Sequence, residues 1–154
     1  MSFSTECATL LNEFASCPNN APPDLKRELL DLAAQTEQRC YRRRLRDSFW
    51  FFVQEFWEQV PGAGKMVENW HMPFLAGELQ AVAEGVFAGK TREHDTVFNV
   101  SPGTSKSSIC CILFPAWLWT RMPSARVLTP SHTDHLVIDL ENKARHVIKG
   151  EKYR

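Results

Sequence analysis

The sequence predicts an α/β fold in which a helical N-terminal region is followed by an incomplete parallel sheet with flanking helices. Two observations support this prediction. Apolar residues recur at helical spacing through the first half of the chain, and the order from residue 95 onward reads strand, loop, helix, strand, helix. Strands joined through a helix lie parallel in one sheet. We therefore expect one strand-helix-strand-helix unit in residues 95–154.

Composition excludes several classes of protein. The 154 residues include 18 basic and 18 acidic side chains, so the net charge is zero and binding of nucleic acid through bulk positive charge is excluded. A hydrophobic content of 44% is that of a folded chain rather than a disordered one. No apolar run approaches the roughly 18 residues of a membrane-spanning helix, so no membrane partner is expected. The first residues show no secretory signal.

Five cysteines occur at positions without metal-binding spacing, and we expect all five to be reduced thiols in a cytosolic protein.

Residues 1–47 are predicted to form a helical region of their own. A Pro- and Asn-rich break at 18–23 precedes Asp24, which stands at an N-cap position. The helix that follows carries arginines spaced 3, 1 and 3 apart, which places them on one face; they are Arg39, Arg42, Arg43 and Arg46. Such a face can contact nucleic-acid phosphates, and it can equally be a solvated surface.

The next segment predicts a buried helix, because aromatic and aliphatic residues recur along one face at Phe49, Phe52, Val53, Phe56, Trp57 and Val60. It ends at Pro61, where the run Pro-Gly-Ala-Gly-Lys superficially resembles a phosphate-binding loop. We interpret that run as a false match. It follows a helix rather than a strand, and Met66 occupies the place of the hydroxyl residue that binds magnesium.

Five further elements complete the chain. A helix opens near Trp70 with Leu75, Leu79, Val82 and Val86 on one face, and a last helix starts after a capping box formed by Ser131 and Asp134. Short strands are predicted at 95–100 and 126–129. Between them an apolar helix runs to Trp119, and Pro115 is expected to kink it.

The loop between the first predicted strand and that helix is the strongest chemical signal. A phosphate-binding loop needs a strand that directs the chain, a turn whose backbone N–H groups surround phosphate oxygens, and a Lys-Ser pair at a helix start. Val97–Val100 is the expected strand, Pro102–Ser105 the turn, and Lys106 with Ser107 the pair.

This loop departs from the usual pattern, because Ser105 replaces the glycine before the lysine. A left-handed backbone there would cost free energy. On the pattern alone, a serine-rich turn without a ligand remains an open alternative.

Several segments together resemble the ATPase motor of tailed-bacteriophage terminase large subunits. They are residues 99–107, Phe114–Trp119, the upstream Phe56-Trp57 and Asn69-Trp70-His71, and the downstream 126–129 and Lys143-Ala144-Arg145. The resemblance covers residues 48–154, identified as the N-terminal part of a P-loop ATPase domain that stops before its acidic Walker B strand. Residues 1–47 are not matched.

The resemblance implies ATP and Mg²⁺ as cofactors. Expected nucleotide contacts are Pro102, Gly103, Thr104, Ser105, Lys106, Ser107, Ser108 and His71, with Lys106 as the catalytic lysine and Ser107 as the magnesium ligand. It implies double-stranded viral DNA, a small terminase subunit and a portal protein as partners, and the host cytoplasm as the location. Because the Walker B acids and the nuclease domain are absent from the sequence, we expect nucleotide binding with little or no hydrolysis.

Two other functions stay open. Residues 25–57 could serve a non-catalytic module that binds a terminase partner or DNA, and the loop could belong to a helicase-like ATPase. Trp70 is expected to pack in the core, whereas for His71 a contact with the nucleotide base and a half-exposed surface position are both open.

Overall fold

The computed structural model describes residues 22–91 and 95–154, which form helices and irregular connections. In chain order the elements are α1 (Pro23–Asp47), α2 (Phe49–Phe56), a 3-10 turn (Trp57–Gln59), α3 (His71–Phe87), a π-helix (Ser108–Leu113), α4 (Phe114–Arg121) and α5 (Asp134–Lys149). Contacts divide the chain into two compact units, 1–44 and 45–154. None of the helices in the described residues is long and apolar enough to cross a membrane.

The predicted parallel sheet is wrong, because the described residues contain helices and no strand. Both expected strands, 95–100 and 126–129, lie outside regular secondary structure. Strand propensity is realised only when a neighbouring strand supplies ladder hydrogen bonds and a buried face. Here Val97 is 84% exposed and Leu128 is 89% exposed, so neither run has an apolar face to bury. The fold of the described residues is all-helical.

The core of the second unit is built around the π-helix, which contacts α2, α3, α4 and α5. Its residues Ile109, Ile112 and Leu113 are fully buried. The stripe predicted on α2 is confirmed, since all six of its residues from Phe49 to Val60 are buried. On α3 the buried positions are Met72, Leu75, Ala76 and Ala83, whereas Val86 is exposed.

A π-helix lies directly before Pro115, the residue that is expected to kink this helix. Proline has no N–H, and its ring clashes with the carbonyl four residues earlier, here that of Cys111. The helix widens instead: the N–H of Phe114 donates to the carbonyl of Ile109, a bond that spans five residues. The chain thereby runs as one continuous helical stretch from Lys106 to Arg121. π-helical turns are rare in proteins, and those that do occur often lie at functional sites.

Two side chains hold the start of the second unit in place. The indole Nε1 of Trp117, which is fully buried, donates to the carbonyls of Leu45 (3.0 Å) and Arg46 (3.1 Å). These carbonyls lie in the last turn of α1, where helical partners run out. On α3, Gln80 accepts from the N–H of Phe49 (2.8 Å) and donates to the carbonyl of Asp47 (2.9 Å). Both bonds fix the junction between α1 and α2.

Two local predictions need correction. The last helix begins after Thr133 and that residue makes no side-chain capping bond, so the capping box of Ser131 and Asp134 does not form. Cys40 is disulfide-bonded, so the expectation that every thiol is reduced is wrong. Cys7 and Cys17 lie outside the described residues. Cys110 and Cys111 are free thiols.

Candidate functional site

The segment 101–108, here named the Ser105 loop, turns sharply before it enters a helix. Gly103 has a φ of 81°, and with Pro102 before it the pair is typical of a type II turn, in which only glycine adopts positive φ at low cost. The hydroxyl of Thr104 donates to the carbonyl of Ser101 at 2.8 Å and closes the turn. The predicted turn over Pro102–Ser105 is therefore present, although no strand precedes it.

Ser105 has a φ of 60°, and among the described residues other than glycine it alone has a positive φ. A left-handed backbone costs a residue with a side chain roughly 1–2 kcal/mol. The residue stands where the usual phosphate-loop pattern has glycine, the residue that adopts positive φ most easily. Strained backbone of this kind is concentrated at binding and catalytic sites.

The helix starts directly after Ser105. The N–H of Ile109 donates to the Ser105 carbonyl at 3.1 Å, so the N–H groups of Lys106, Ser107 and Ser108 lie ahead of that first bond. A left-handed residue followed by right-handed ones makes successive N–H groups converge into a concave site for anions. A concavity lies along this stretch, and its walls are residues 100–108. Lys106 is half-buried at its edge.

A second cavity adjoins the loop and reaches the start of α3. It is lined by Trp70, His71, Asn99, Val100, Ser101, Pro102 and Thr104. Trp70 is 78% exposed, so the expectation of a core position is wrong. Its ring stands edge-on to that of His71, with centroids 6.1 Å apart. Asn99 was not singled out from the sequence, since a lone asparagine before a loop carries no distinguishing pattern.

His71 connects α3 to the Ser105 loop. Its Nε2 lies 3.1 Å from the carbonyl oxygen of Thr104. Because a carbonyl oxygen only accepts, the imidazole donates through Nε2–H. The structure thus brings His71 to the predicted nucleotide residues, and its contact is with the loop backbone.

Two cysteines follow the loop on the π-helix. Burial, with a smaller contribution from the neighbouring Cys111, raises the pKa of Cys110 to about 11 in spite of the opposing effect of Lys106. Burial likewise raises the pKa of Cys111. Both side chains are therefore neutral thiols at physiological pH, and neither is activated as a nucleophile.

The predicted magnesium ligand in the loop is a single hydroxyl, that of Ser107. Within residues 22–91 and 95–154, no three side chains of the His, Cys, Asp or Glu type come together as a metal site. Magnesium bound with a nucleotide needs fewer protein ligands, because phosphate oxygens and water fill most positions. The exposed Ser107, at φ −64° in the first turn of the helix, fits that limited role.

The segment 61–65, here named the Gly62 loop, also contains a lysine and two left-handed glycines. Gly62 has a φ of 79° and Gly64 a φ of 67°. The residues after Lys65 are irregular as far as Asn69, and α3 begins only at His71. The N–H groups of this loop therefore do not lead into a helix start, which agrees with its interpretation as a false match.

The arginines predicted to contact nucleic acid are all exposed on α1. Arg39, Arg42 and Arg43 belong to the first unit, and Arg46 belongs to the second. Arg43 takes part in an interaction within the protein.

Comparison with known proteins identifies no relative: no family model, curated protein or solved structure matches this chain.

Proposed function

We propose that the Ser105 loop binds the phosphate groups of a nucleotide, with Mg²⁺-ATP as the ligand. One observation carries this proposal: Ser105 is left-handed at the position directly before Lys106, where the helix begins. A strained residue at that point turns the following N–H groups toward one side of the chain. Converging N–H groups and the positive end of a helix favour a bound anion.

Each residue of the loop has a role in this proposal. Lys106 places its ammonium group against the β- and γ-phosphates, and Ser107 contributes its hydroxyl to magnesium. The adjoining cavity receives the nucleoside, with Trp70 presenting an indole face to the base. The walls of the phosphate concavity, residues 100–108, include no carboxylate that could orient an attacking water. We therefore expect binding with little hydrolysis, measured as phosphate release.

Calorimetric titration with Mg²⁺-ATP tests the proposal. Lys106→Ala removes a charge-assisted contact of the kind worth roughly 1.5–3 kcal/mol, so affinity is expected to fall about tenfold or more. Lys65→Ala is the matched control, because it removes a lysine from the Gly62 loop in the same unit. That variant is expected to bind as tightly as the wild type.

Equal heats from the wild type and Lys106→Ala would overturn the proposal. Equal losses in the two variants would show that the lysines act only through overall charge.

The terminase resemblance extends this proposal to a DNA-packaging motor that acts in the bacterial cytoplasm. In that function α1 contacts duplex DNA, and the small terminase subunit and the portal protein are further partners. The exposed Arg39 and Arg42 of the first unit support a phosphate-contacting surface. Both side chains lie three positions apart on the same helix, close enough to meet neighbouring phosphates.

Salt dependence tests the DNA contact. Each arginine that neutralises a phosphate of duplex DNA contributes about 0.9 to the slope of log K against log salt concentration. Changing Arg39 and Arg42 together to Gln is expected to reduce that slope by about 1.8. Lys65 and Lys90, both exposed, provide the control pair, and their change to Gln should leave the slope unaltered. An unaltered slope after the arginine substitutions would exclude this surface.

A further inference from the structure

We propose that His71 is a positioning residue that holds the peptide between Thr104 and Ser105 in the orientation that receives an anion, an inference that rests on the proposed nucleotide binding. The imidazole donates through Nε2–H to the Thr104 carbonyl, 33 positions along the chain, at 3.1 Å. His71 also lines the adjoining cavity, but its hydrogen bond is with the backbone of the loop, so we expect it to act on bound phosphate through the loop's geometry.

The geometry of a trans peptide explains the effect. The carbonyl of Thr104 and the N–H of Ser105 belong to one planar group and point in opposite directions. Holding the carbonyl toward His71 therefore turns the Ser105 N–H away from α3. If the peptide turned over, the partial negative charge of the carbonyl would face the opposite way and the N–H would be withdrawn.

When the imidazole is absent, the peptide between Thr104 and Ser105 is expected to turn over. Reversing this peptide carries Ser105 from positive to negative φ and relieves its left-handed strain. The hydrogen bond from His71 opposes that relaxation, and the two effects are of similar size. Without the imidazole, a large share of the molecules is expected to have the reversed peptide, which does not receive an anion. The apparent affinity then falls in proportion to the fraction of molecules that keep the binding-competent form.

α3 is a firm support for the imidazole. Met72, which follows His71 directly, is buried, and Leu75 and Ala76 pack in the core one turn later. The N–H of Met72 donates to the carbonyl of Asn69 at 2.9 Å and fixes the first turn of the helix. A side chain on such an element has a defined position from which to orient a loop.

The test measures Mg²⁺-ATP affinity in four variants. His71→Ala is expected to weaken binding about fivefold, the loss of one hydrogen bond. His71→Gln keeps an N–H donor near the position of Nε2 and is expected to bind nearly as the wild type. His71→Ala combined with Ser105→Gly is expected to regain most of the loss, because glycine adopts positive φ without strain. His146→Ala, at the cavity beside the Gly62 loop, is the control and should bind unchanged.

Three results would overturn the inference. His71→Ala with wild-type affinity would show that the bond does not orient the loop. Failure of Ser105→Gly to restore binding, or a loss in His71→Gln equal to that in His71→Ala, would mean that the imidazole contacts the nucleotide itself or acts in some other way.

A measurement without nucleotide separates this inference from the proposed function. The distance between the amide proton and Hα of Ser105, read from their NMR cross-relaxation in the free protein, is shortest near the φ of 60° and longer at negative φ. A positive φ in the wild type and a shift toward negative φ in His71→Ala support the positioning role even if ATP does not bind. An identical short distance in both proteins contradicts it, whatever the affinity.

Discussion

The Gly62 loop is richer in glycine than the Ser105 loop, but the Ser105 loop has the structure that is expected of an anion site. The Gly62 loop has two glycines and a lysine, whereas the Ser105 loop has one glycine and a serine at the position before its lysine. Both contain two residues with positive φ. Only the Ser105 loop leads at once into a helix, and it is also held from outside by His71. Glycine content therefore indicates how easily a turn forms, whereas the proposed anion binding rests on the helix that follows the turn.

The elements after the two loops also differ in how firmly they are held. The helical stretch from Lys106 to Arg121 passes through the centre of the core, and Trp117 anchors it with two hydrogen bonds. At its end Arg121 pairs with Glu84 through Nη1 and Nη2, and its Cζ lies 4.3 Å from the ring centre of Phe87. After the Gly62 loop, by contrast, Val67 is 80% exposed and Trp70 is 78% exposed.

The largest expected effect follows from that anchoring. Trp117→Phe removes the indole N–H, leaves the carbonyls of Leu45 and Arg46 without this donor, and opens space in the core. We expect the free energy of unfolding, measured with urea, to fall by about 3 kcal/mol. Val67→Ala, after the Gly62 loop, is the control and should change it by less than about 0.5 kcal/mol.

If Trp117→Phe and Val67→Ala lowered the free energy of unfolding by similar amounts, the segments after the two loops would not differ in how firmly they are held.

A smaller change in the free energy of unfolding is expected when serine and glycine are exchanged between the two loops. Ser105→Gly relieves left-handed strain and is expected to raise the free energy of unfolding by about 1 kcal/mol, or the melting temperature by about 2–4 °C. Gly64→Ser introduces the same strain and is expected to lower stability by about 1 kcal/mol. A side chain at Gly64 meets nothing within 4 Å, so backbone strain alone determines the loss.

Thermal unfolding of both variants gives the comparison. If Ser105→Gly lowered the melting temperature as much as Ser107→Gly, which places a glycine within the helix, the backbone of Ser105 would not be strained.

Much of the helical fold was predictable from local pattern. The stripe from Phe49 to Val60 identified a buried face, because side-chain burial there follows helical period. The lack of a sheet in the described residues was not predictable, since strand propensity at 95–100 and 126–129 says nothing about whether a partner strand is present. Pro115 was recognised as a disturbance of its helix, but the pattern did not predict the π-helix that precedes it.

The candidate site likewise has features that adjacent residues predict and features that depend on how distant elements pack. The sequence identified the Ser105 loop and recognised that Ser105 would be the costly position, because both follow from adjacent residues. The bond from His71 to Thr104 and the exposure of Trp70 could not be predicted, because they depend on where α3 packs relative to a distant loop.

An assigned amide NMR spectrum recorded during titration with Mg²⁺-ATP tests the central claim most directly. The account predicts that the amides of residues 103–108 shift progressively, because their N–H groups bind phosphate oxygens. It predicts that the amides of residues 62–65 remain where they are. Shifts confined to residues 62–65, or equal shifts in the two loops, would contradict the claim that the strained Ser105 loop is the site of phosphate binding.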